Sequence, residues 1–275
     1  MYGNLYLVST PIGNLDDLTI RAKNVLTEVD IIFAESVERT KKLLSHYSIE
    51  TKVISYNKDN EKRKISFALK HLNESKNIAL VTDAGTPAIS DPGFYLLSQI
   101  DESIKVIPVP GVSSLTCALS VSKIPINSFI FLGFLPKKGS ERKKKLAEAS
   151  EARLTICLFE SKHRLVQLLK DISAIYGEST KVGIFREMTK IYETVTHKSV
   201  SQHIMDFEKN QPKGEFVVIV APKQQISLDN NYQRVIKELI MRNLSNKDIV
   251  DLIKLISTDS KKEIYKNVLS IRQDT

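Results

Sequence analysis

The stretch LVTDAGTPAISDPG (residues 80–93) is the most informative part of the chain, because an apolar strand pattern runs directly into an elaborate turn. Apolar or β-branched residues lead to an aspartate, and two glycines and two prolines follow within the stretch. Glycine and proline let the backbone approach a ligand closely and fix its direction. The stretch therefore predicts a ligand-binding turn at the end of a buried strand.

Apolar runs alternate with helical patterns on both sides of this stretch. The runs at residues 5–9, 31–35, 52–56, 77–82 and 104–109 have the length and composition of strands. Between them, residues 62–72 carry apolar side chains at the i, i+3, i+4, i+7 positions of an amphipathic helix. This alternation predicts an α/β fold with a mostly parallel sheet and helices on both faces.

A second block follows from about residue 125. FIFLGFLP (129–136) and RLTICLFES (153–161) are strand patterns separated by a basic helix, and KVGIFRE, KIYETVTH and EFVVIV follow with short spacers. The last three predict antiparallel or mixed neighbouring strands. Helical patterns at 232–241, 247–256 and 261–269, two of them preceded by capping boxes, end the chain. We predict domains over 1–122 and 123–222, a linker near Pro222, and a helical extension over 228–275.

Composition narrows the class of protein. The chain has 275 residues, 42% hydrophobic and 26% charged, with a net charge of +8. No apolar run is long enough for a membrane span, no signal-peptide pattern is present, and both cysteines lie in apolar stretches. We therefore expect a cytoplasmic protein without membrane association. Six Lys or Arg stand against one Glu in KKGSERKKK (137–145); this segment is either a solvated helix face or a nucleic-acid contact, and charge alone does not choose.

Three turns follow strand patterns: STPIGN (9–14), the stretch at 80–93, and VPGVSS (109–114). Open α/β sheets bind ligands at such strand ends, so the sequence predicts a cleft there. None of the ten glycines forms a G-x-G, no P-loop is present, and the five histidines lack zinc-ligand spacing. We therefore expect chemistry without a metal or a covalent nucleophile.

These motifs together, with FESKHRL, REMTKIYET and GEFVVIV, resemble a known family. The chain is similar to the ribosomal RNA small-subunit methyltransferases of the tetrapyrrole methylase superfamily, which are class III enzymes that use S-adenosylmethionine. The resemblance implies two α/β domains around a cofactor cleft, a homodimer, and 2′-O-methylation of a cytidine in the decoding region of 16S rRNA within the 30S subunit.

The resemblance also implies which residues form the cofactor site. From the first domain these are Pro11, Asp83, Ala84, Gly85, Pro87, Ile89, Ser113 and Ser114; from the second they are Phe159, Glu160, Glu193, Thr194, Gly214 and Glu215.

REMTKIYE supplies the candidate catalytic residues. On a strand, Arg186 and Lys190 share one face, while Glu187 and Glu193 share the other. We expect Glu187 to accept a proton or organise the site, and Arg186 and Lys190 to hold RNA phosphate or a developing oxyanion; the alternative is a salt-bridged surface ribbon. The expected RNA contacts are Arg164, whose planar fork matches phosphate, and the basic segment Lys137, Lys138, Arg142, Lys143, Lys144 and Lys145.

One departure and two alternatives stand beside this assignment. Where the family reads A-E-D-T-R, this chain has Ser36, Val37 and Glu38 after Glu35, with Arg39 one place late. This change affects a loop of candidate RNA contacts and suggests altered target selection. The alternatives are a methyltransferase acting on a tetrapyrrole or another small substrate, and a non-catalytic RNA-binding module.

Overall fold

The computed structural model describes residues 2–210, 213–223, 232–257 and 259–273. The chain divides into two compact units, residues 1–222 and residues 223–275. The first unit contains two five-stranded sheets, and the second is helical. The linker predicted near Pro222 coincides with the division between the units, and residues 228–231 of the predicted extension lie outside the described residues.

The first sheet is parallel throughout. Its strands are β1 (Leu5–Val8), β2 (Ile31–Ala34), β3 (Val53–Ser55), β4 (Ile78–Val81) and β5 (Val106–Val109), in the order β3-β2-β4-β1-β5. Helices α1 (Ile20–Glu28), α2 (Val37–His46), α3 (Glu61–Asn73), α4 (Phe94–Gln99) and α5 (Ser114–Ser120) follow the strands in turn. Every residue of β2 and β4 is buried, as expected for a parallel sheet covered on both faces. The predicted α/β fold is confirmed.

The second sheet is mixed. Its strands are β6 (Phe129–Phe134), β7 (Thr155–Ser161), β8 (Lys181–Arg186), β9 (Thr194–Ser199) and β10 (Glu215–Val220), in the order β6-β7-β10-β8-β9. Only β6 and β7 pair in parallel; the other neighbours in this sheet are antiparallel. For the last three strands the sequence predicts antiparallel or mixed pairing, and the structure shows antiparallel pairing.

The spacers between these strands differ from the prediction. Helix α6 (Gly139–Glu151) is the predicted basic helix, but α7 (Leu165–Tyr176) and α8 (Val200–Lys209) fill segments expected to be short connections. Helix α7 buries Leu165, Leu168, Leu169 and Ile172, the stripe of an amphipathic helix. Helix α8 starts with a capping box between Ser199 and Gln202. Both signals are local to the sequence.

The prediction that a strand runs through REMTKIYE is wrong. Strand β8 ends at Arg186, and β9 begins only at Thr194. Between them Glu187 has φ 51° and Thr189 has φ 65°, left-handed conformations that a strand does not contain. Residues 187–193 therefore form a turn, which we call the 187–193 turn.

The described part of the second unit contains three helices, α9 (Tyr232–Met241), α10 (Asn246–Ile256) and α11 (Lys261–Gln273). The Ser245 hydroxyl accepts a hydrogen bond from the Asp248 N–H at 3.2 Å, and the Ser260 hydroxyl accepts one from the Glu263 N–H at 3.3 Å. These are the predicted helix starts. The three helices share a core that includes Ile236, Ile253 and Val268. Among the helices that the structure describes, none is long and apolar enough to cross a membrane.

Candidate active site

A cleft of about 340 Å³ lies in the first unit, where strand ends of the two sheets meet. The first sheet contributes residues that follow the carboxyl ends of β1, β2, β4 and β5, and the second contributes the ends of β6, β7 and β8 and the start of β10. Its volume is in the range of small-molecule sites. The lining residues are Ile12, Glu35, Arg39, Thr82, Asp83, Ala84, Ser90, Asp91, Ser114, Phe134, Phe159, Glu160, Ser161, Phe185, Glu187, Met188, Lys190, Glu215, Phe216 and Val217.

The 80–93 turn is fastened to the loop after β1 through the main chain. The Thr10 N–H donates to the Gly85 carbonyl, and the Gly85 N–H donates to the Thr10 carbonyl, both at 2.9 Å. The Thr10 hydroxyl also donates to the Thr82 carbonyl at 3.0 Å. Gly85 has φ 83°, which favours glycine. These bonds hold the turn at the edge of the cleft, where Thr82, Asp83 and Ala84 line it.

Carboxylates converge on this side of the cleft. The Thr82 hydroxyl donates to Glu35 Oε2 at 2.8 Å, and the Asp83 N–H donates to the same oxygen at 3.3 Å. Burial raises the pKa of Asp83, and the nearby charge of Glu35 adds to this effect, whereas Arg39, 3.1 Å away, and the Ser36 N–H oppose it. Burial and Glu35 likewise raise the pKa of Asp91. This side of the cleft is therefore suited to a cationic ligand.

On the opposite sheet, the 187–193 turn forms a compact ion cluster. Glu187 Oε1 accepts hydrogen bonds from the Glu215 N–H at 2.9 Å and from Lys190 Nζ at 3.1 Å, and Lys190 Nζ also lies 2.9 Å from Glu215 Oε2. Burial opposes the charge on Glu187, but these hydrogen bonds and the charges of Lys190 and Arg186 outweigh it and lower the pKa of Glu187. Burial also opposes the charge on Lys190, but Glu215 and Glu187 outweigh it and raise the pKa of Lys190.

The arrangement of this cluster corrects the prediction from strand periodicity. Lys190 and Glu187, expected on opposite faces, contact each other in the cleft. Arg186 does not line the cleft; its Nε donates to the Lys213 carbonyl at 2.5 Å. Glu193 holds the turn, because its carboxylate accepts a hydrogen bond from the Thr189 N–H at 2.6 Å. A low pKa makes Glu187 a weak proton acceptor, so its placement favours the organising role.

The second sheet also supplies an aromatic wall and a buried acid. The rings of Phe134 and Phe159 meet edge to face with centroids 5.6 Å apart. Glu160, next along β7, is 2% exposed, and burial raises its pKa against the opposing effects of the Ser161 N–H and Arg164.

Two of the predicted RNA contacts, Arg142 and Arg164, form hydrogen bonds within the protein. Arg142 is buried, with its Nε 2.7 Å and its Nη2 2.6 Å from Asp171 Oδ2, so the prediction that it contacts RNA is wrong. Arg164 is half-buried, and its Nη2 donates to the carbonyls of Leu135 and Pro136 at 2.7 and 3.2 Å, so this nitrogen is occupied within the protein and the phosphate contact of Arg164 stays a prediction. The five lysines of the basic segment are exposed: Lys137, Lys138, Lys143, Lys144 and Lys145.

The cleft brings together part of the predicted set. Asp83, Ala84, Ser114, Phe159, Glu160, Glu215, Glu187 and Lys190 line it, whereas Pro11, Gly85, Pro87, Ile89, Ser113, Glu193, Thr194, Gly214 and Arg186 do not. Sequence reasoning did not assign Glu35, Arg39, Asp91 and Phe134 to this site. Glu35 directly follows a buried parallel strand, and that position was an available signal, because such strand ends meet at one edge of a sheet.

Comparison with known proteins identifies the family. The sequence model described as Tetrapyrrole (Corrin/Porphyrin) Methylases matches residues 4–204. A protein named ribosomal RNA small subunit methyltransferase I from Thermotoga maritima is 45% identical over 223 residues, 81% of this chain and 100% of that protein. A protein of the same name from Synechocystis is 36% identical over 99% of both chains. The chain belongs to the ribosomal RNA small subunit methyltransferase I family of tetrapyrrole methylases.

Solved structures support the same fold. A cobalt precorrin-4 methyltransferase aligns with a TM-score of 0.57 at 20% identity, over 79% of this chain and 94% of the other. A Thermus thermophilus uroporphyrin-III C-methyltransferase, complexed with S-adenyl homocysteine, aligns with a TM-score of 0.59 at 16% identity, over 79% and 97%. The cofactor of this methyltransferase family is S-adenosylmethionine, as the sequence predicts.

Proposed function

We propose that this protein transfers a methyl group from S-adenosylmethionine to the 2′-oxygen of a cytidine ribose in the decoding region of 16S rRNA. The observation that carries this proposal is the close similarity to proteins named ribosomal RNA small subunit methyltransferase I, combined with a cleft that holds a fixed lysine opposite partly buried carboxylates. The proposed substrate is the assembled 30S subunit, the proposed assembly is a homodimer, and the proposed location is the cytoplasm.

The residues of the cleft fit S-adenosylmethionine. Glu35, Asp83 and Asp91 place negative charge where a cationic molecule binds, and the aromatic wall on the other side offers a stacking surface. The hydrogen bonds between the Thr10 and Gly85 main chains fix the turn beneath them. When bound, S-adenosylmethionine supplies a methyl group on a positively charged sulfur, ready for displacement in line.

Lys190 is the proposed electrostatic catalyst. A ribose hydroxyl gains negative charge on its oxygen as it reacts, and a fixed cation at that position lowers the barrier. The pKa of Lys190 is raised by Glu215 and Glu187, so the side chain stays charged and donates hydrogen bonds. Glu187 is a positioning residue, because its Oε1 holds both Lys190 Nζ and the Glu215 N–H.

Asp91 is the proposed proton acceptor. Burial raises its pKa, and a carboxylate with a higher pKa accepts a proton more readily near neutral pH than Glu187, whose pKa is lowered. The nearby Thr82 hydroxyl and the positive charge of Lys58 lower the pKa of Asp91 and so limit the rise.

Methyl transfer to 30S subunits from a strain lacking the modification tests the proposal. We expect Lys190→Met to lower kcat by about 100-fold with little change in S-adenosylhomocysteine affinity, since the lost interaction belongs to the reacting oxygen. We expect Glu187→Gln to lower kcat less, because the Glu215 carboxylate still holds Lys190. Lys170→Met is the matched control: Lys170 also forms an ion pair, with Glu208 at 2.7 Å, and it does not line the cleft.

Alkaline hydrolysis of the modified RNA shows whether the methyl group is on the ribose. A 2′-O-methyl group blocks alkaline cleavage of the adjoining phosphodiester, so the product should contain an alkali-resistant dinucleotide that begins with cytidine. A methyl group found on a base, or full activity of Lys190→Met, would refute the proposal.

A further inference from the structure

The side chain of Glu160 carries an oxygen without a hydrogen bond inside the cleft. Oε1 accepts a hydrogen bond from the Ser161 N–H at 2.8 Å, and the side chain is 1% exposed. Oε2 is buried and has no hydrogen-bond partner among the described residues. An acceptor buried in this way is costly unless a partner arrives.

The nearest cation does not fill this role. Arg164 Nη2 lies 3.3 Å from Glu160 Oε2, but it donates hydrogen bonds to the carbonyls of Leu135 and Pro136 instead. The ion pair therefore balances the charge of Glu160 and leaves the acceptor capacity of Oε2 unused. Because Glu160 lines the cleft, Oε2 is placed to accept a hydrogen bond from a molecule that binds there.

An aromatic surface next to Glu160 indicates what kind of molecule this is. Phe134 lines the cleft and is 57% exposed, which is unusual for a phenylalanine. Strand β6 has an irregularity between Phe131 and Gly133, and Gly133 has φ 58°; such bulges redirect the side chains that follow. Phe134 pairs in register with Phe159, which directly precedes Glu160. Flat nucleobases stack on aromatic rings exposed in this way.

We propose that Glu160 Oε2 accepts a hydrogen bond from the exocyclic amino group of a nucleobase that stacks on Phe134. The inference rests on the proposed function and deepens it. Adenine and cytosine both carry such an amino group beside a ring nitrogen, and glutamate accepts hydrogen bonds from cytosine amino groups in known recognition. The two sources are the adenine of the cofactor and the cytosine of the target nucleotide.

The substitution Glu160→Gln replaces one hydrogen-bond acceptor of the side chain by a hydrogen-bond donor. The Ser161 N–H needs an acceptor, so it fixes the amide oxygen at the position of Oε1, and the amide NH₂ replaces Oε2. A donor then faces the amino group of the base. A carbonyl at the same position of the base, as in hypoxanthine or uracil, becomes the better partner.

Two arms of a binding experiment distinguish the adenine of the cofactor from the cytosine of the target nucleotide. The first measures S-adenosylhomocysteine and S-inosylhomocysteine by calorimetry without RNA; the second measures 30S subunits with cytosine or uracil at the target position. The wild-type protein should prefer the amino-bearing ligand at least tenfold in one arm, and Glu160→Gln should reverse that preference. Reversal in the first arm assigns Glu160 to adenine, and reversal in the second assigns it to the target cytosine.

The controls keep the inference refutable. Glu148→Gln, a change at an exposed carboxylate on α6, should leave both preferences unaltered. Phe134→Leu removes an exposed ring, so folding is preserved, and it should weaken the same ligand about tenfold. A wild-type protein without an amino preference in either arm, or a folded Glu160→Gln variant that keeps the wild-type preference, overturns the inference. The first arm involves no methyl transfer, so it is independent of a failure to find ribose methylation.

Discussion

The buried Arg142–Asp171 pair gives the most direct test of the structure, because the sequence alone assigns Arg142 to the RNA surface. Arg142 and Asp171 have side chains only 7% and 2% exposed. Removing one partner of such a pair leaves an uncompensated buried charge, which costs about 3–5 kcal/mol. In Arg142→Met, Asp171 would keep a hydrogen bond from Gln167 at 3.2 Å and Lys143 at 3.7 Å. We therefore expect a loss near the lower limit, about 3 kcal/mol in the free energy of unfolding.

Urea denaturation followed by circular dichroism measures this loss. With an m-value of about 3 kcal/mol/M, the midpoint of the Arg142→Met variant should fall by about 1 M. Lys145→Met is the matched control, because Lys145 is an exposed cation on the same helix; its midpoint should stay close to that of the wild-type protein. The double variant Arg142→Met/Asp171→Leu removes both charges and should regain most of the stability.

RNA-binding measurements on these variants should show the opposite pattern from the stability measurements. If Arg142 is a structural residue, a folded Arg142→Met protein keeps its RNA affinity, whereas substitution of exposed lysines lowers it. A variant with wild-type stability and weakened RNA binding would show that Arg142 faces solvent and RNA. That result would refute the structural reasoning.

Three further predictions concern the turn, a buried histidine and the basic segment. Gly214→Ala should lower methyl transfer at least tenfold, because the added Cβ, at φ 96°, would lie 2.6 Å from Glu187 Oε1. Gly177→Ala is the control, since Gly177 has the same φ and nothing within 4 Å of the added Cβ; equal activities of the two variants would contradict the placement of Glu187. Burial lowers the pKa of His203, so the unfolded chain takes up a proton that the folded protein excludes, and the free energy of unfolding should fall as the pH drops below about 6.5. His203→Asn should flatten this pH dependence between pH 7.5 and 5.5; if urea titrations of the variant show the wild-type dependence of stability on pH, the prediction is contradicted. Replacing Lys137, Lys138, Lys144 and Lys145 by alanine should reduce the salt dependence of RNA binding by about 3 in the log–log slope without changing S-adenosylhomocysteine affinity; an unchanged slope would return this segment to a solvated helix face.

The first sheet could be predicted from the sequence because its signals are local. Strands β2 and β4 are buried on both faces, so each appears in the sequence as a short continuous apolar run. The helix starts at Ser245 and Ser260 depend only on residues three positions away. The missed helices α7 and α8 carried local signals too, an apolar stripe and a capping box.

The errors in the site come from contacts between residues far apart in the chain. Arg142 belongs to the buried stripe of α6 with Leu146 and Ala149, but its partner Asp171 is 29 residues away, so the sequence shows only a basic run. The 187–193 turn contains no glycine that would signal its two left-handed residues. It is held by the Glu193 carboxylate and by hydrogen bonds to Glu215 on β10. Tertiary contacts override the strand pattern there.

The departure at Ser36, Val37 and Glu38 shows how a local sequence change is absorbed by the fold. Ser36 caps α2, since its hydroxyl accepts the Arg39 N–H at 3.4 Å, and its own N–H donates to Asp83 Oδ1 at 3.0 Å. Arg39, although one place late, reaches Asp83 at 3.1 Å and lines the cleft. Glu38 instead forms an exposed pair with Lys42 at 2.8 Å. The cleft therefore has an arginine beside its partly buried aspartate. Because Glu38 lies outside the cleft lining, this new acid adds its charge to the surface around the site and not to the cleft.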